Sequence, residues 1–284
     1  MNHKTNLFSN LAAEIDSIRE SRHTYFGTRR SMIPSRDETV DILRRIQSVM
    51  FPDYFVLEEH ADLSTEDRLE LLFLAIKRQL TAAYSFSGES AVVDTESLAL
   101  EILGELPRIK ELLIKDIQAI YEGDPAAKSP EEVLLSYPGF LAISIYRIAH
   151  EFYLRAIPYL PRIMTEYAHE RTGVDIHAGA TVGEYFFIDH GTGIVIGETT
   201  TIGDRVKIYQ GVTLGAKSFE LDADGKPVKG IKRHPDIGNN CIIYANATIL
   251  GGATRIGDGS VIGANVWVTR SVDAGSTVYY NNKA

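Results

Sequence analysis

From Gly173 to Val278 aliphatic residues return every six positions, and this period constrains the chain more than any other feature. Ile176, Val182, Ile188 and Ile194 form one run, and Ile196, Ile202, Ile208 and Leu214 the next. After a break come Ile237, Ile243 and Ile249, then Leu250, Ile256, Ile262 and Val268. A small or acidic residue usually follows, as at Gly183, Asp189, Gly203, Gly238 and Gly257. Neither a helical period of about 3.6 nor strict alternation repeats in this way. A parallel β-helix does, with three short faces per coil and each aliphatic stacked on its equivalent one coil away. A sandwich would need turn signals about every 8–12 residues, which are missing.

The rest of the chain reads differently. Residues 1–172 are expected to form an α-helical domain and 173–284 the β-helix, with a projecting loop at 216–232. Leu7, Leu11, Ile15 and Ile18 keep helical spacing, as do Val40, Leu43, Ile46 and Val49. Ser64 and Ser129-Pro130-Glu131-Glu132 look like helix starts. Tyr137-Pro138-Gly139 breaks the helical pattern. The tail from Val272 is expected to leave the coil.

Composition excludes some functions. A net charge of −9 argues against a nucleic-acid partner. The polar N-terminus and the lack of a long apolar run argue against a membrane segment. The single Cys241 has no disulfide partner in the chain, which implies a cytoplasmic protein. The residue reads as an inert coil position, and Trp267 reads as packing. Flat lateral faces of a β-helix favour a cyclic homo-oligomer.

Candidate chemistry gathers where the repeat is spoiled. His190 stands in Asp189-His190-Gly191, and a histidine beside carboxylates suits a general base. Asp175 and Asp189 are placed on different faces of neighbouring turns, to meet at a corner or across a subunit boundary. Arg233-His234 ends the loop, and an arginine there matches a substrate carboxylate. From residue type alone, His177 is structural, Asp124 before Pro125 is a turn residue, and Asp189 reads equally as a corner acid. Lys217, Lys226, Lys229 and Lys232 offer local positive potential for a phosphate-bearing ligand, or are simply solvated.

These segments together resemble the serine acetyltransferase family of hexapeptide-repeat acyltransferases. The resemblance rests on Asp124-Pro125-Ala126, Tyr146-Arg147-Ile148-Ala149-His150, Val174-Asp175-Ile176-His177 and Asp189-His190-Gly191-Thr192-Gly193. It continues through Gly197-Glu198-Thr199, Gly211-Val212-Thr213-Leu214-Gly215 and Arg233-His234-Pro235, covering roughly residues 110–275. It implies an N-terminal helical domain followed by a left-handed parallel β-helix. It also implies acetyl transfer from acetyl-CoA to the hydroxyl of L-serine, in cysteine biosynthesis, without a metal or an acyl-enzyme. His190 matches the general base and Asp175 its dyad carboxylate. Asp124, Asp189, Arg233 and His234 match the serine-binding set, and Ala216, Lys217, Ala245 and Ala264 match CoA contacts between subunits. The implied assembly is a trimer or a dimer of trimers.

The chain departs from the family pattern in three places, one being Val278-Tyr279-Tyr280-Asn281 where the family has Gly-Val-Pro-Ala. Loop 216–232 lacks the glycine-rich form, and the end at Asn282-Lys283-Ala284 lacks the tail that docks into O-acetylserine sulfhydrylase, so that complex is not expected. Three rival readings are an acyltransferase for another hydroxyl or amino acceptor, a γ-type carbonic anhydrase and a non-catalytic scaffold. Asp124 with Arg233-His234 suits an amino-acid zwitterion, and His177, His190 and His234 lack the closely spaced pair that a zinc site needs.

Overall fold

A computed structural model describes residues 2–21, 32–88 and 93–280. The helices are α1 (Asn2–Ser21), α2 (Arg36–Met50), α3 (Thr65–Ser87), α4 (Thr95–Gly104), α5 (Leu106–Gly123), α6 (Pro130–Ser136), α7 (Pro138–Leu154) and α8 (Leu160–Thr172). Their starts follow local chemistry. Ser64 and Asp67 form a reciprocal capping box on α3, and Ser35 and Ser129 accept backbone N–H groups at the starts of α2 and α6. Helix α8 ends at Gly173, which holds a left-handed conformation (φ 70°). The apolar residues of α1 are exposed.

Five coils follow. The first holds β1 (Asp175–Ile176), β2 (Thr181–Val182) and β3 (Phe187–Asp189), and the second β4 (Val195–Ile196), β5 (Thr201–Ile202) and β6 (Lys207–Tyr209). The third has β7 (Thr213–Gly215), the loop, β8 (Asp236–Ile237) and β9 (Ile242–Ile243). Then come β10 (Thr248–Leu250), β11 (Arg255–Ile256), β12 (Val261–Ile262), β13 (Trp267–Val268) and β14 (Thr277–Val278). Stacking makes three parallel sheets: face A (β1-β4-β7-β10-β13), face B (β2-β5-β8-β11) and face C (β3-β6-β9-β12-β14). This is the expected architecture, a helical region followed by a parallel β-helix.

Register shows why the period works and where it misleads. Ile196 pairs with Leu214, an eighteen-residue coil, and both are buried. Ile176 pairs with Ile196, so the first coil runs twenty residues. Ile194 keeps the six-residue period but is not the stacking position; the two extra residues lie in the turn carrying His190. Asp175 and Asp189 therefore belong to one coil, on faces A and C, rather than to neighbouring turns. Ile249, not Leu250, stacks on Leu214 and Val268.

The small residue after each aliphatic has a steric cause. Asp204, Asn239 and Asp258 each use Oδ1 to accept a backbone N–H of the coil before, all at 2.8 Å. A Cβ on Gly203 would lie 2.5 Å from Asn239 Oδ1, so this ladder needs the glycines beneath it.

Two expectations fail. Val272 bridges Ile256 and β14 pairs with β12, so the chain past Val272 completes the fifth coil through its remaining inward positions; residues 281–284 lie outside the described residues. Trp267 is 68% exposed, because the first residue of a two-residue strand points outward. Cys241 is buried, and burial pushes its thiol up. Among the described residues, no single helix is long and apolar enough to cross a membrane.

The helical region closes the open end of the β-helix. Coil 1 donates its N–H groups to coil 2, as Asp175 does to the Ile194 carbonyl and His177 to that of Ile196, which leaves outward carbonyls without a strand partner. Helix α7 supplies the donors. Tyr146 bonds the Ala180 carbonyl, His150 Nδ1 that of Ala178 (2.7 Å), and Arg147 those of Val182 (3.3 Å) and Gly183 (2.8 Å). Arg147 is itself gripped by Asp116 of α5.

Candidate active site

The candidate residues fall into two groups on opposite edges of face A. The first group lies where face C turns into face A. Asp189 ends β3, and His190 follows in a left-handed conformation (φ 57°). Such a conformation strains a histidine and is often kept at functional sites. His190 is 70% exposed, with Nε2 3.8 Å from Asp189 Oδ1, a charge contact longer than a hydrogen bond.

Asp124 reaches this edge from the C-terminus of α5. Its Oδ2 accepts the Tyr137 hydroxyl at 2.7 Å and its Oδ1 the Ala126 N–H at 2.8 Å. The Tyr137 bond leads in holding this carboxyl below its usual range, with help from Ala126 and the His190 charge. Tyr209 stands beside Asp189 in the next coil and stacks on Tyr244 at 5.1 Å.

The second group lies where face A turns into face B. Arg233 Nη2 meets Glu198 Oε2 at 2.5 Å, and Tyr153 of α7 donates to Glu198 Oε1 at 3.0 Å. Burial pushes the Glu198 carboxyl up; the bonds from Arg233 and Tyr153 outweigh it and hold the group below the usual range. The Thr199 hydroxyl accepts the backbone N–H of Arg233 (3.0 Å) and of His234 (3.1 Å). His234 Nδ1 accepts the Thr199 N–H at 3.0 Å, so the neutral ring carries its proton on Nε2. His177 Nδ1 likewise accepts the Gly179 N–H at 3.0 Å. Burial leads in lowering His177, and its ring lies in the field of Asp175.

Burial, then the Arg233 charge, push His234 down from 6.5 to about 4. Its titration followed by imidazole nitrogen NMR is expected to centre near pH 4; a midpoint above 6 contradicts this environment. The unfolded chain binds this proton near pH 6.5 and the folded chain does not. Its contribution to stability is therefore complete above about pH 6.5 and falls as pH drops toward 4.

The structure brings Asp124, Asp189 and His190 together, and separately Arg233 and His234. Asp175 opens β1 on face A, and among the described residues no ion pair joins it to His190. Among the described residues, no hydrogen bond or ion pair joins the two groups, and none involves the Asp175 carboxylate. The four expected CoA contacts divide likewise. Ala216 and Lys217 follow β7 at the root of the loop, while Ala245 and Ala264 occupy the other edge, after β9 and β12. The loop contains a short hairpin (Leu221 bridged to Pro227) and leans over coil 4, leaving a cavity of about 350 Å³ lined by Lys217, Lys232 and Arg233 among others. Among the described residues, no three His, Cys, Asp or Glu side chains are grouped to hold a metal ion.

Sequence reasoning missed Tyr137, Tyr153, Glu198 and Thr199 as parts of these groups. Glu198 and Thr199 stand inside a quoted motif. Tyr137 read only as a chain break, and its partner lies thirteen residues away, which no helical or strand spacing signals.

A helical region on a hexapeptide-repeat β-helix, with a histidine and carboxylates on its corners, is the build of a hexapeptide acyltransferase. Comparison with known proteins narrows this. Residues 75–144 match the family described as serine acetyltransferase, N-terminal, and residues 236–270 the hexapeptide repeat of succinyl-transferase. The plasmid serine acetyltransferase of Synechococcus elongatus is 47% identical over 260 residues, 87% of this chain and 81% of that one. Serine acetyltransferase 1 of Entamoeba histolytica in complex with L-cysteine superposes with a TM-score of 0.75 at 39% identity, covering 84% of this chain and 86% of that one. The soybean serine acetyltransferase complexed with serine gives 0.58 at 29% identity, covering 87% and 98%. This chain belongs to the serine acetyltransferase family.

Proposed function

We propose that this protein transfers the acetyl group of acetyl-CoA to the hydroxyl of L-serine, giving O-acetyl-L-serine and CoA for cysteine biosynthesis. The observation that carries this reading is the division of both residue sets between the two edges of face A. In a ring of three copies each edge faces the opposite edge of a neighbour. His190, Asp189 and Asp124 of one subunit then face Arg233 and His234 of the next, with Asp175 on face A at the same seam. Ala245 and Ala264 face Ala216 and Lys217 in the same way, along a channel for CoA. The helical domain, 1–172, contributes Asp124 to the β-helix domain, 173–284.

In this arrangement the two carboxylates at Asp124 and Asp189 accept the serine ammonium. Arg233 and the Nε2–H of His234 hold its carboxylate. His190 takes the hydroxyl proton as the serine oxygen attacks the thioester carbon. The tetrahedral adduct collapses, the C–S bond breaks, and the imidazolium returns its proton to the CoA sulfur. Asp175 stabilises the imidazolium between these steps.

Serine-dependent release of CoA from acetyl-CoA tests the substrate, and its absence sinks the reading. Mixed assembly tests the shared site. His190→Asn and Arg233→Ala proteins are each expected to be inactive. Unfolded and refolded together at random, they are expected to recover about a quarter of wild-type activity, since one in four interfaces has both residues intact. No recovery rejects a site divided between subunits.

A further inference from the structure

We propose that Tyr137 is a positioning residue that fixes the Asp124 carboxylate for the ammonium of the acceptor, registering it to the strand that leads into His190. The inference rests on the functional reading above, and nothing in the motifs assigns Tyr137 a part.

Tyr137 is held from both sides. Its N–H bonds the Val133 carbonyl at 3.2 Å, closing α6, and its carbonyl accepts the Leu141 N–H at 3.1 Å, opening α7. Two residues on, Gly139 is pressed against β3: a Cβ there would lie 2.8 Å from the Ile188 carbonyl oxygen. Ile188 is two residues from His190. The Tyr137 backbone is therefore locked to the strand just before the base, while its hydroxyl reaches across to an acid carried by the end of another helix. With the hydroxyl on Oδ2 and the Ala126 N–H on Oδ1, the carboxylate plane is set. Each oxygen keeps a lone pair for an ammonium.

The charged groups around this contact agree with the role. Asp124, Glu132 and Asp189 act on the phenol, and His190 acts on Asp124. The Asp124 bond leads in pushing the phenol up to about 12, so Tyr137 stays a donor across the working pH range and is no rival base. The same bond favours the ionised acid, as ammonium binding requires.

The test is Tyr137→Phe in the full-length protein, with three readouts. KM for L-serine is expected to rise about five- to twentyfold, with kcat and KM for acetyl-CoA within about twofold of wild type. In the Asp124→Asn background the same change is expected to add nothing to KM for serine, whereas a general packing defect adds in both backgrounds. Titration of Asp124 by carboxyl carbon NMR is expected to shift its midpoint upward in Tyr137→Phe, because the ionised form loses a donor. An unchanged KM for serine, a parallel rise for both substrates, or an unmoved Asp124 midpoint overturns the inference. Wild-type protein inactive with serine overturns the substrate reading instead, while the carboxyl titration still decides whether Tyr137 controls Asp124.

Discussion

Replacing His190 with asparagine is expected to lower kcat for serine-dependent CoA release by about 10²–10⁴-fold, the range general-base catalysis supplies. Asparagine is the informative choice because position 190 has φ 57°, and asparagine adopts that left-handed conformation with little strain. Alanine would lose the base and strain the backbone together. His190 is 70% exposed and fills no core position, so the melting temperature should stay near that of wild type. KM for both substrates should change little, since neither the ammonium nor the carboxylate set includes the imidazole. Kinetics at saturating serine and acetyl-CoA, with a thermal melt beside them, check the prediction. A folded variant with an unchanged kcat removes His190 as the base.

Asp116→Ala is expected to destabilise the protein by about 3–5 kcal/mol, the usual effect of stranding one member of a buried ion pair. Asp116 is fully buried and Arg147 is 4% exposed. Their contact is bidentate: Arg147 Nε reaches Asp116 Oδ2 at 2.5 Å and Nη2 reaches Oδ1 at 2.8 Å. Oδ1 also accepts the Phe186 N–H at 2.9 Å, so alanine orphans a backbone donor as well as a guanidinium. Arg147 holds the carbonyls of Val182 and Gly183 at the open end of the β-helix. The damage should therefore concentrate where the helices meet coil 1. Chemical denaturation measures the loss, and hydrogen exchange at coil 1 locates it. A change below about 1 kcal/mol contradicts this account of how the two regions are joined.

The β-helix was legible because burial imposes one rule at every coil: an aliphatic inward, a small residue at the turn. The starts of α3 and α6 were legible because Ser64 and Ser129 each accept the backbone N–H three residues on. Exceptions to the repeat were not. Ile194 sits six residues after Ile188 and so conceals the two-residue expansion beside His190. Trp267 has the size of a core residue, and only its place as the outward member of β13 shows that it faces solvent.

The candidate site divides along the same line. Periodic burial and short-range capping act between near neighbours in the chain, so the sequence by itself determined the parallel β-helix, the helical region before it, and which ionisable residues interrupt the repeat. Tertiary structure alone decided where those residues stand. The twenty-residue first coil puts His190 on one edge of face A, and stacking puts Arg233 and His234 on the other. The Tyr137 hydroxyl chooses Asp124 across a break between helices. Such contacts join segments whose separation obeys no period, and their geometry exists only once the coils have stacked and the helices have docked against them.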